Sequence, residues 1–366
     1  MSCDQSLESF PRLAGLDLSP AWEQAVGRFL ETEGLTLVLG GTDSGKSTLC
    51  RYLVYRAYVA GQRVALIDCD LGQSHLGPPA TLGLGLYPPR LPGDDSLFPE
   101  ALYFIGQTSP VGQVLEVVVG TRRLADQAQD QGISRIVVNT CGFIQGPGAL
   151  QLKWAQLELL APQLILALEK TQELEPILIP LRRRQAPMMR LPRSQRAVSK
   201  SWEYRRQYRE VRFHGYFREA TRHLFSMSRL AWQGLPLGRG ETLSLAQRQQ
   251  LGAYLDTPVL YGEISPSGAV LILPGLPETL DKTALAELLG VPKVCWLASA
   301  SLEMRLVGLL DGNLAVLALG LLLPSPWDRS QVAIWTPLPG ERLDQVRVCR
   351  IGRLRLNLRG QELNRA

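Results

Sequence analysis

The sequence predicts an α/β fold, in which a parallel sheet is flanked by helices, followed by a smaller β-rich domain at the C-terminus. Short apolar runs alternate with helical stretches in the first part of the chain, which is typical of parallel βαβ units. From about Tyr261 onward the apolar runs are separated by Gly and Pro, with few helical patterns. A length of 366 residues suits two domains, and 45% apolar with 20% charged residues is typical of a globular chain.

The first predicted strand is Leu35 to Leu39, and it runs straight into a glycine-rich turn. A helix is predicted next, because apolar residues recur at helical spacing from Leu49 to Ala60 before Gly61. Further strands are predicted at four apolar runs: Val64 to Ile67, Leu102 to Ile105, Ile136 to Val138 and Leu164 to Leu168.

Between the last two of these strands a helix is expected, with Leu150, Trp154 and Leu157 on one face. The segment Tyr87 to Pro99 is rich in Pro, Gly and Asp and is expected to be a loop.

The second domain is expected to consist mainly of short strands. The run Leu306 to Leu323 is interrupted by Asp311, Gly312 and Asn313, and therefore predicts two buried strands around a turn instead of a membrane span. Other strands are predicted at four stretches: Ala269 to Leu273, Val294 to Leu297, Val332 to Trp335 and Val346 to Leu358. We expect an N-terminal segment at residues 1–33, the α/β domain at 34–225 and the β-rich domain at 226–366.

The N-terminus, MSCDQSLESF, lacks the basic and apolar regions of a signal peptide, so we expect a cytoplasmic protein without a membrane partner. Six cysteines are scattered singly, and no C-x-x-C pair indicates a zinc or redox site.

Positive charge is concentrated in one part of the chain. Between Arg182 and Arg222 there are twelve Arg and one Lys against three Glu, an excess of ten positive charges in a chain of net charge +5. Such a strip favours a polyanionic ligand, such as nucleic acid or nucleotide phosphates, although a solvated helix face has the same composition.

The segment from Gly40 to Ser47 fits the P-loop pattern G-x-x-x-x-G-K-[ST], after a strand and before a helix as the motif requires. Glycines allow backbone N–H groups to surround phosphates, Lys46 reaches the β- and γ-phosphates, and Ser47 ligates Mg²⁺. The predicted ligands are ATP or GTP with Mg²⁺, and the lack of an N-K-x-D motif after the later strands argues against a GTPase switch protein. The predicted nucleotide-binding residues are Gly41, Thr42, Asp43, Ser44, Gly45, Lys46, Ser47 and Thr48.

Two carboxylates follow the next strand, at Asp68 and Asp70, with Gln73 shortly after them. Carboxylates at this edge of the sheet are typical of the second half of a P-loop metal site. We expect Asp68 to support Mg²⁺ together with Ser47, while Asp70 accepts a proton from an incoming hydroxyl. A capped turn is the alternative interpretation of a D-x-D sequence at the end of a strand.

These motifs together resemble the polynucleotide 5′-hydroxyl-kinase family, the P-loop RNA kinases of mRNA 3′-end, tRNA and rRNA processing. The resemblance rests on Gly40 to Thr48 (GGTDSGKST), Asp68 to Gln73 (DCDLGQ), Val138 to Phe143 (VNTCGF), the basic stretch Leu191 to Arg212 and, more weakly, Phe104 to Pro110. It implies that residues 34–225 form a P-loop kinase domain.

The resemblance also implies roles for individual residues. Asp70 would help to deprotonate the acceptor 5′-hydroxyl, with Gln73 beside it. The residues that would form a clasp for the acceptor end are Thr140, Cys141, Gly142 and Phe143. Arg205 and Arg209 would belong to a lid over the triphosphate and, with Lys46, would stabilise the transferred phosphate.

Helical spacing agrees with the lid. Arg205, Arg209 and Arg212 lie on one face of a helix, and Tyr204, Tyr208 and Val211 form the neighbouring stripe, which we expect to pack against the protein.

Two departures from the family pattern stand out. Phe143 occupies a position where the family commonly has Trp, and few residues precede the first strand. The resemblance therefore implies a compact, prokaryotic member that acts on RNA or DNA 5′ ends and has no obligate protein partner. The C-terminal stretch from Val307 to Gly320 also resembles the β domain of the family.

Three functions are compatible with these motifs. The first is a kinase that transfers phosphate from ATP or GTP to a 5′-hydroxyl end. The second is an ATP-binding scaffold of RNA processing without turnover, and the third is a P-loop ATPase or small-metabolite kinase. The joint presence of Lys46, Ser47, Asp68, Asp70 and the arginines favours catalysis.

Overall fold

The computed structural model describes residues 19–87, 99–181, 187–193, 198–275 and 282–363. The chain forms two compact units, Met1–Arg212 and Phe213–Ala366. This division comes earlier than the expected boundary after residue 225, because the strand Thr221–Ser226 pairs with Gln331–Thr336 in a sheet of the second unit. Most of the expected loop after Tyr87 and part of the arginine-rich strip lie outside the described residues.

Within its described residues the first unit contains one seven-stranded sheet. Its strands are β1 Gly34–Gly40, β2 Val64–Asp68, β3 Thr81–Tyr87, β4 Ala101–Phe104, β5 Arg135–Asn139, β6 Leu164–Glu169 and β7 Met188–Pro192. Their order is β4-β3-β2-β5-β1-β6-β7, and the strands from β2 to β7 in this order are parallel.

The sheet is mixed, which corrects the expectation of a parallel one: β3 is antiparallel to both of its neighbours. The reason is that residues 69–80 form turns and no crossover helix, so the chain returns in the opposite direction. Two glycines interrupt the apolar pattern of β3. A Cβ atom at Gly83 would lie 2.3 Å from the Leu76 carbonyl oxygen, so the close approach of the β2–β3 connection requires glycine there.

Helices cover both faces of this sheet. They are α1 Pro20–Glu31, α2 Lys46–Val59, α3 Val114–Asp130, α4 Pro147–Leu160 and α5 Glu175–Leu178; a sixth helix, α6 Trp202–Tyr216, follows them along the chain and extends past Arg212. Helices α1 and α2 pack with one face, and α3, α4 and α5 with the other. The expected face of α4 is partly wrong, since Leu157 is buried but Trp154 is 41% exposed.

The second unit contains two sheets within its described residues. Its strands are β8 Thr221–Ser226, β9 Ala231–Gln233, β10 Glu241–Thr242, β11 Tyr261–Ser265, β12 Gly268–Leu273, β13 Val294–Ala298, β14 Arg305–Leu310, β15 Val316–Leu322, β16 Gln331–Thr336 and β17 Val348–Arg355. The sheet orders are β10-β11-β12-β13 and β8-β16-β15-β14-β17-β9. The helices are α7 Leu245–Leu255, α8 Lys282–Leu288 and α9 Ser299–Leu302.

The predicted β-rich domain is confirmed, and so is the interpretation of its long apolar run. Strands β14 and β15 pair antiparallel around the turn that contains Asp311 to Asn313. No helix among the described residues is both long and apolar enough to cross a membrane.

In the first unit, three parallel strands end side by side. Because β1 pairs with β5 and β5 pairs with β2, the carboxyl ends Gly40, Asn139 and Asp68 meet at one edge of the sheet. Ligands of open α/β sheets bind outside this edge, at the point where the strand order reverses and the connections that follow neighbouring strands diverge.

Candidate active site

The P-loop connects β1 to α2 and leaves its backbone close to the expected phosphates. Gly45 precedes α2 with φ of 95°, and no side chain caps the first turn of the helix. A Cβ atom at Gly40 would lie 2.6 Å from the Ser44 hydroxyl and 2.8 Å from the Leu168 carbonyl oxygen. The turn therefore needs glycine at both positions, and the N-terminus of α2 offers its N–H groups to an anion.

Lys46 is buried within this turn, where its Nζ atom donates a hydrogen bond to the Gly41 carbonyl oxygen at 2.6 Å. Burial lowers the pKa of Lys46 to about 8, although the charge of Asp70 opposes that shift. A buried lysine with a lowered pKa is stabilised in its charged form by an incoming polyphosphate, as the sequence prediction requires.

Ser47 lies beside a buried amide. Asn139 donates hydrogen bonds through Nδ2 to the Ser47 hydroxyl at 3.1 Å and to Oδ1 of Asp68 at 2.9 Å. The Oδ1 atom of Asn139 is buried and has no hydrogen-bond partner among the described residues. Hydroxyl, amide and carboxylate oxygens are the ligands that Mg²⁺ prefers, so the residues present fit the expected ion.

The two carboxylates of the β2 edge have different surroundings. Asp68 is buried, and its two oxygens accept hydrogen bonds from His75 N at 2.7 Å, Asn139 Nδ2, Asp70 N and the Ser74 hydroxyl. Burial, with a further contribution from the charge of Asp70, raises the pKa of Asp68 to about 6. Asp68 therefore fixes the β2–β3 connection and the Asn139 side chain through hydrogen bonds. It does not line the cavity of the candidate site.

Asp70 lies in the turn after β2, because that strand ends at Asp68. Its Oδ1 atom accepts hydrogen bonds from Gly72 N at 3.1 Å and Gln73 N at 3.0 Å, and the described residues donate none to Oδ2. Asp70 lines the cavity with one carboxylate oxygen left to accept a proton.

Gln73 is oriented by a residue of the lid segment. Its Oε1 atom accepts a hydrogen bond from Lys200 Nζ at 3.1 Å, and its Nε2 atom is buried without a partner among the described residues. An unsatisfied buried donor at the wall of a cavity favours a ligand oxygen at that point, which agrees with the acceptor-binding role expected for Gln73.

The four clasp residues follow β5, and the structure separates them. The Thr140 side chain is fully buried and donates to the Val38 carbonyl oxygen at 2.8 Å, so it supports β1 and does not reach the cavity. Cys141, Gly142 and Phe143 do line the cavity. A Cβ atom at Gly142 would lie 2.7 Å from the backbone nitrogen of Thr42, which explains the glycine at this position.

The predicted lid corresponds to helix α6 and residues 198–201. Arg205, Arg209 and Arg212 share its inner face as expected: Arg209 is only 8% exposed, and Arg212 donates to the Gly77 carbonyl oxygen at 2.8 Å. Arg205 pairs with the Asp43 carboxylate of the P-loop, which also accepts a hydrogen bond from Lys200 N at 3.0 Å.

The predicted packing stripe of the lid is wrong. Tyr204 is 51% and Val211 is 65% exposed, while Tyr208 is partly buried and donates to the Ser74 carbonyl oxygen. The arginine stripe faces inward because the surface beneath it consists of carboxylate and carbonyl oxygens, which pair with guanidinium groups.

These elements enclose a cavity of about 1330 Å³ in the first unit. Its wall includes the P-loop from Gly41 to Thr48, Asp70, Gln73, Cys141 to Phe143, Lys200, Arg205 and Arg209. The structure therefore gathers the predicted nucleotide and acceptor residues on one cavity, except for Asp68 and Thr140, which lie behind its wall.

Three residues to which the sequence analysis assigned no role lie in or beside this site: Asn139 of the VNTCGF motif, Lys200 of the basic stretch, and Lys153. The sequence contains a signal for Asn139, because a polar residue at the end of a strand beside the P-loop is expected to face the ligand site. In the described part of the chain, no group of three or more His, Cys, Asp or Glu side chains could hold a metal ion. In P-loop centres a hydroxyl and the substrate phosphates supply much of the Mg²⁺ shell.

The fold, with a P-loop at the carboxyl edge of its sheet, defines a P-loop nucleotide-binding protein. Residues 40–219 match the family model described as mRNA cleavage and polyadenylation factor CLP1 P-loop. Two similar proteins are polyribonucleotide 5′-hydroxyl-kinases. That of Methanocaldococcus jannaschii is 29% identical over 89% of this chain and 88% of its own length, and that of Pyrococcus furiosus is 30% identical over 89% of both.

The chain belongs to this polyribonucleotide 5′-hydroxyl-kinase family, which confirms the resemblance seen in the sequence. Among solved structures, the complex of wild-type Clp1p with Pcf11p matches with a TM-score of 0.59 and 14% identity, over 91% of this chain and 78% of that one. At this identity the match supports the fold alone.

Proposed function

We propose that this chain is a polynucleotide 5′-hydroxyl-kinase that binds ATP and transfers its γ-phosphate to the 5′-hydroxyl end of RNA or DNA. The observation that carries this proposal is the convergence of Lys46, Asp70, Gln73 and Arg209 on one cavity. Named polyribonucleotide 5′-hydroxyl-kinases with about 30% identity over most of the chain support the same activity. The kinase thus acts on a polynucleotide, and the choice between RNA and DNA is part of the proposal.

On the donor side, the open N-terminus of α2 and the Lys46 ammonium bind the phosphates of ATP or GTP. Ser47 would hold Mg²⁺, with Asn139 and Asp68 orienting the hydroxyl from behind. When bound, the ion would neutralise charge on the β- and γ-phosphates.

On the acceptor side, Asp70 accepts the proton of the 5′-hydroxyl as the oxygen attacks the γ-phosphorus. A new O–P bond forms, and the bond to the β–γ bridging oxygen breaks in line, so that ADP leaves. Gln73 Nε2 and the Phe143 ring hold the acceptor end, and Arg209 stabilises the charge that spreads over the transferred group.

The direct test is label transfer from γ-labelled ATP with Mg²⁺ onto matched 5′-hydroxyl oligoribonucleotides and oligodeoxyribonucleotides. We expect the label on the oligonucleotide with the wild-type chain and no transfer with Lys46→Ala, which loses triphosphate binding. ATP binding by the wild type without transfer to either acceptor would favour the scaffold. Release of labelled phosphate without an acceptor would instead favour an ATPase.

The lowered pKa of Lys46 predicts the pH dependence of ATP affinity. Bound phosphates favour the protonated form of Lys46. The affinity for ATP is therefore highest at pH values below the Lys46 pKa of about 8 and falls as the pH rises above it. We expect a loss of about tenfold for each pH unit above that value in calorimetric titrations. Lys46→Arg, which stays protonated, should lack this decline. A flat wild-type profile from pH 7 to pH 10 would contradict the role of Lys46.

The exposed face of the lid predicts a second contact with the acceptor. Tyr204 lines the cavity, and the Lys200 ammonium lies 5.7 Å from the centre of its ring. A ring beside a cation is a stacking surface for single-stranded nucleic acid. We expect Tyr204→Ala to raise the oligonucleotide KM about tenfold, since stacking on one base stabilises binding by about 1–3 kcal/mol.

The matched control is Val211→Ala, which removes an exposed apolar side chain of the same helix away from the cavity. Its KM for the oligonucleotide should equal that of the wild type, and neither variant should change the KM for ATP. An unchanged oligonucleotide KM in Tyr204→Ala would show that the acceptor does not stack there.

Two expectations from the sequence stay predictions, namely the cytoplasmic location and the absence of an obligate protein partner. The matching Clp1p structure was solved in complex with Pcf11p.

A further inference from the structure

Helix α4 carries a lysine that is fully buried. The Lys153 side chain has no exposed surface, and its Nζ atom donates a hydrogen bond to the Cys141 carbonyl oxygen at 2.8 Å, with Cys141 Sγ at 3.5 Å. No described carboxylate forms an ion pair with it. Lysines are almost never fully buried unless they are paired, because burying an uncompensated ammonium group is unfavourable.

The partner of Lys153 is the backbone of the clasp. Cys141 and Gly142 both line the cavity, whereas Lys153 lies behind them. In a trans peptide the C=O and the following N–H point in opposite directions. When Lys153 holds the Cys141 carbonyl oxygen, the Gly142 N–H points away from Lys153.

Gly142 lies against the P-loop, so the orientation of the Cys141–Gly142 peptide affects the surface beside the nucleotide. Its Cα packs so closely on the P-loop that a Cβ atom would lie 2.7 Å from Thr42 N, and its carbonyl oxygen lies 3.4 Å from the Thr42 hydroxyl. The peptide that Lys153 fixes therefore adjoins both the nucleotide loop and the clasp. Rotation of this peptide would change the surface offered to the acceptor, whereas the hydrogen bond from Lys46 to the Gly41 carbonyl oxygen within the P-loop does not involve it.

We propose that Lys153 is a positioning residue for the acceptor: by holding the Cys141 carbonyl, it directs the Gly142 N–H toward the oxygens of the 5′-terminal nucleotide and keeps the Phe143 clasp in place. This inference rests on the proposed kinase function. It also explains why a costly buried ammonium group is present where an apolar residue of similar volume would fit the core.

The test compares Lys153→Met with Gln151→Met, which places the same side chain on the exposed face of the same helix. We expect Lys153→Met to lower kcat/KM for the oligonucleotide at least about tenfold, because positioning effects on reacting groups reach this size. The KM for ATP should stay within about twofold of the wild type, since the P-loop contacts remain. Gln151→Met should match the wild type for both substrates.

Thermal unfolding and a second variant separate this role from a purely structural one. Replacing a buried charge with an apolar side chain is often neutral or stabilising, so the melting temperature of Lys153→Met should stay within about 3 °C of the wild type. Lys153→Arg retains the donor and should recover most of the lost kcat/KM. An unfolded Lys153→Met, or one with equal losses for ATP and the oligonucleotide, would overturn the proposal.

Wild-type transfer in the same assay distinguishes failure of the proposed kinase function from failure of the positioning role of Lys153. If the wild type transfers no phosphate to an oligonucleotide, the proposed function itself is wrong. If it does and Lys153→Met has a wild-type kcat/KM for the acceptor, only the positioning role of Lys153 is wrong.

Discussion

Replacing Asp70 with Asn is expected to lower kcat by a factor of about 10² to 10⁴, the usual contribution of a general base. The substitution preserves the fold, because the amide oxygen can still accept the hydrogen bonds from Gly72 N and Gln73 N. What it removes is the second carboxylate oxygen, which has no donor among the described residues and lines the cavity. The measurement is single-turnover transfer from γ-labelled ATP to a saturating 5′-hydroxyl oligonucleotide.

The loss of the Asp70 charge has a second expected consequence. This carboxylate opposes the effect of burial on the pKa of Lys46, so ATP affinity should begin to decline at a lower pH in Asp70→Asn than in the wild type. A suitable control is Asp130→Asn, at the exposed end of α3, which should leave both kcat and the pH profile unchanged. A value of kcat for Asp70→Asn within about tenfold of the wild type would rule out Asp70 as the base.

Replacing Arg209 with Ala is expected to reduce kcat by about 10³-fold or more, since a guanidinium group at a transferred phosphoryl group contributes about 10³ to 10⁵. Arg209 is the most buried arginine of the lid stripe and reaches the cavity. The guanidinium group of Arg205, on the same face of the helix, pairs with Asp43. ATP affinity should fall much less than kcat, because the charge on the γ-phosphoryl oxygens grows in the transition state.

Arg206 provides the matched control for this variant. It lies on the same helix, but its Nε atom pairs with Glu210 at 2.9 Å and its guanidinium carbon lies 5.6 Å from the centre of the Trp202 ring. Arg206→Ala should keep kcat within about threefold, as is usual for surface ion pairs. Equal losses in Arg206→Ala and Arg209→Ala would show that both act through lid folding and would contradict a direct role for Arg209.

The local motifs were predictable because they depend on neighbouring residues. The strand before Gly40, the helix after Lys46 and the turn between them are specified by a continuous segment, and the structure has all three. The same holds for the hairpin of β14 and β15, where Asp311 to Asn313 mark the turn. Family membership followed from these segments, since the spacing of the motifs is visible along the chain.

Pairing across the sheet was less predictable. A strand as rich in glycine as Thr81–Tyr87 has little apolar periodicity, and its direction depends on a connection without a helix. Gly83 and Gly85 leave room for Leu76, which is a contact that no local sequence pattern reveals.

The sequence by itself determined which residues share a helix face or the end of a strand, and therefore the P-loop, the two carboxylates and the arginine stripe of the lid. Only the tertiary structure decided which side of each element faces the site. The tertiary structure buries Asp68 among hydrogen-bond donors and leaves Asp70 at the cavity. It also turns the arginines inward, leaves Tyr204 half exposed at the cavity, and places Lys153 behind the clasp. The physical reason is that burial, pKa and hydrogen-bond partners arise from groups distant in the chain, whereas periodicity records only neighbours.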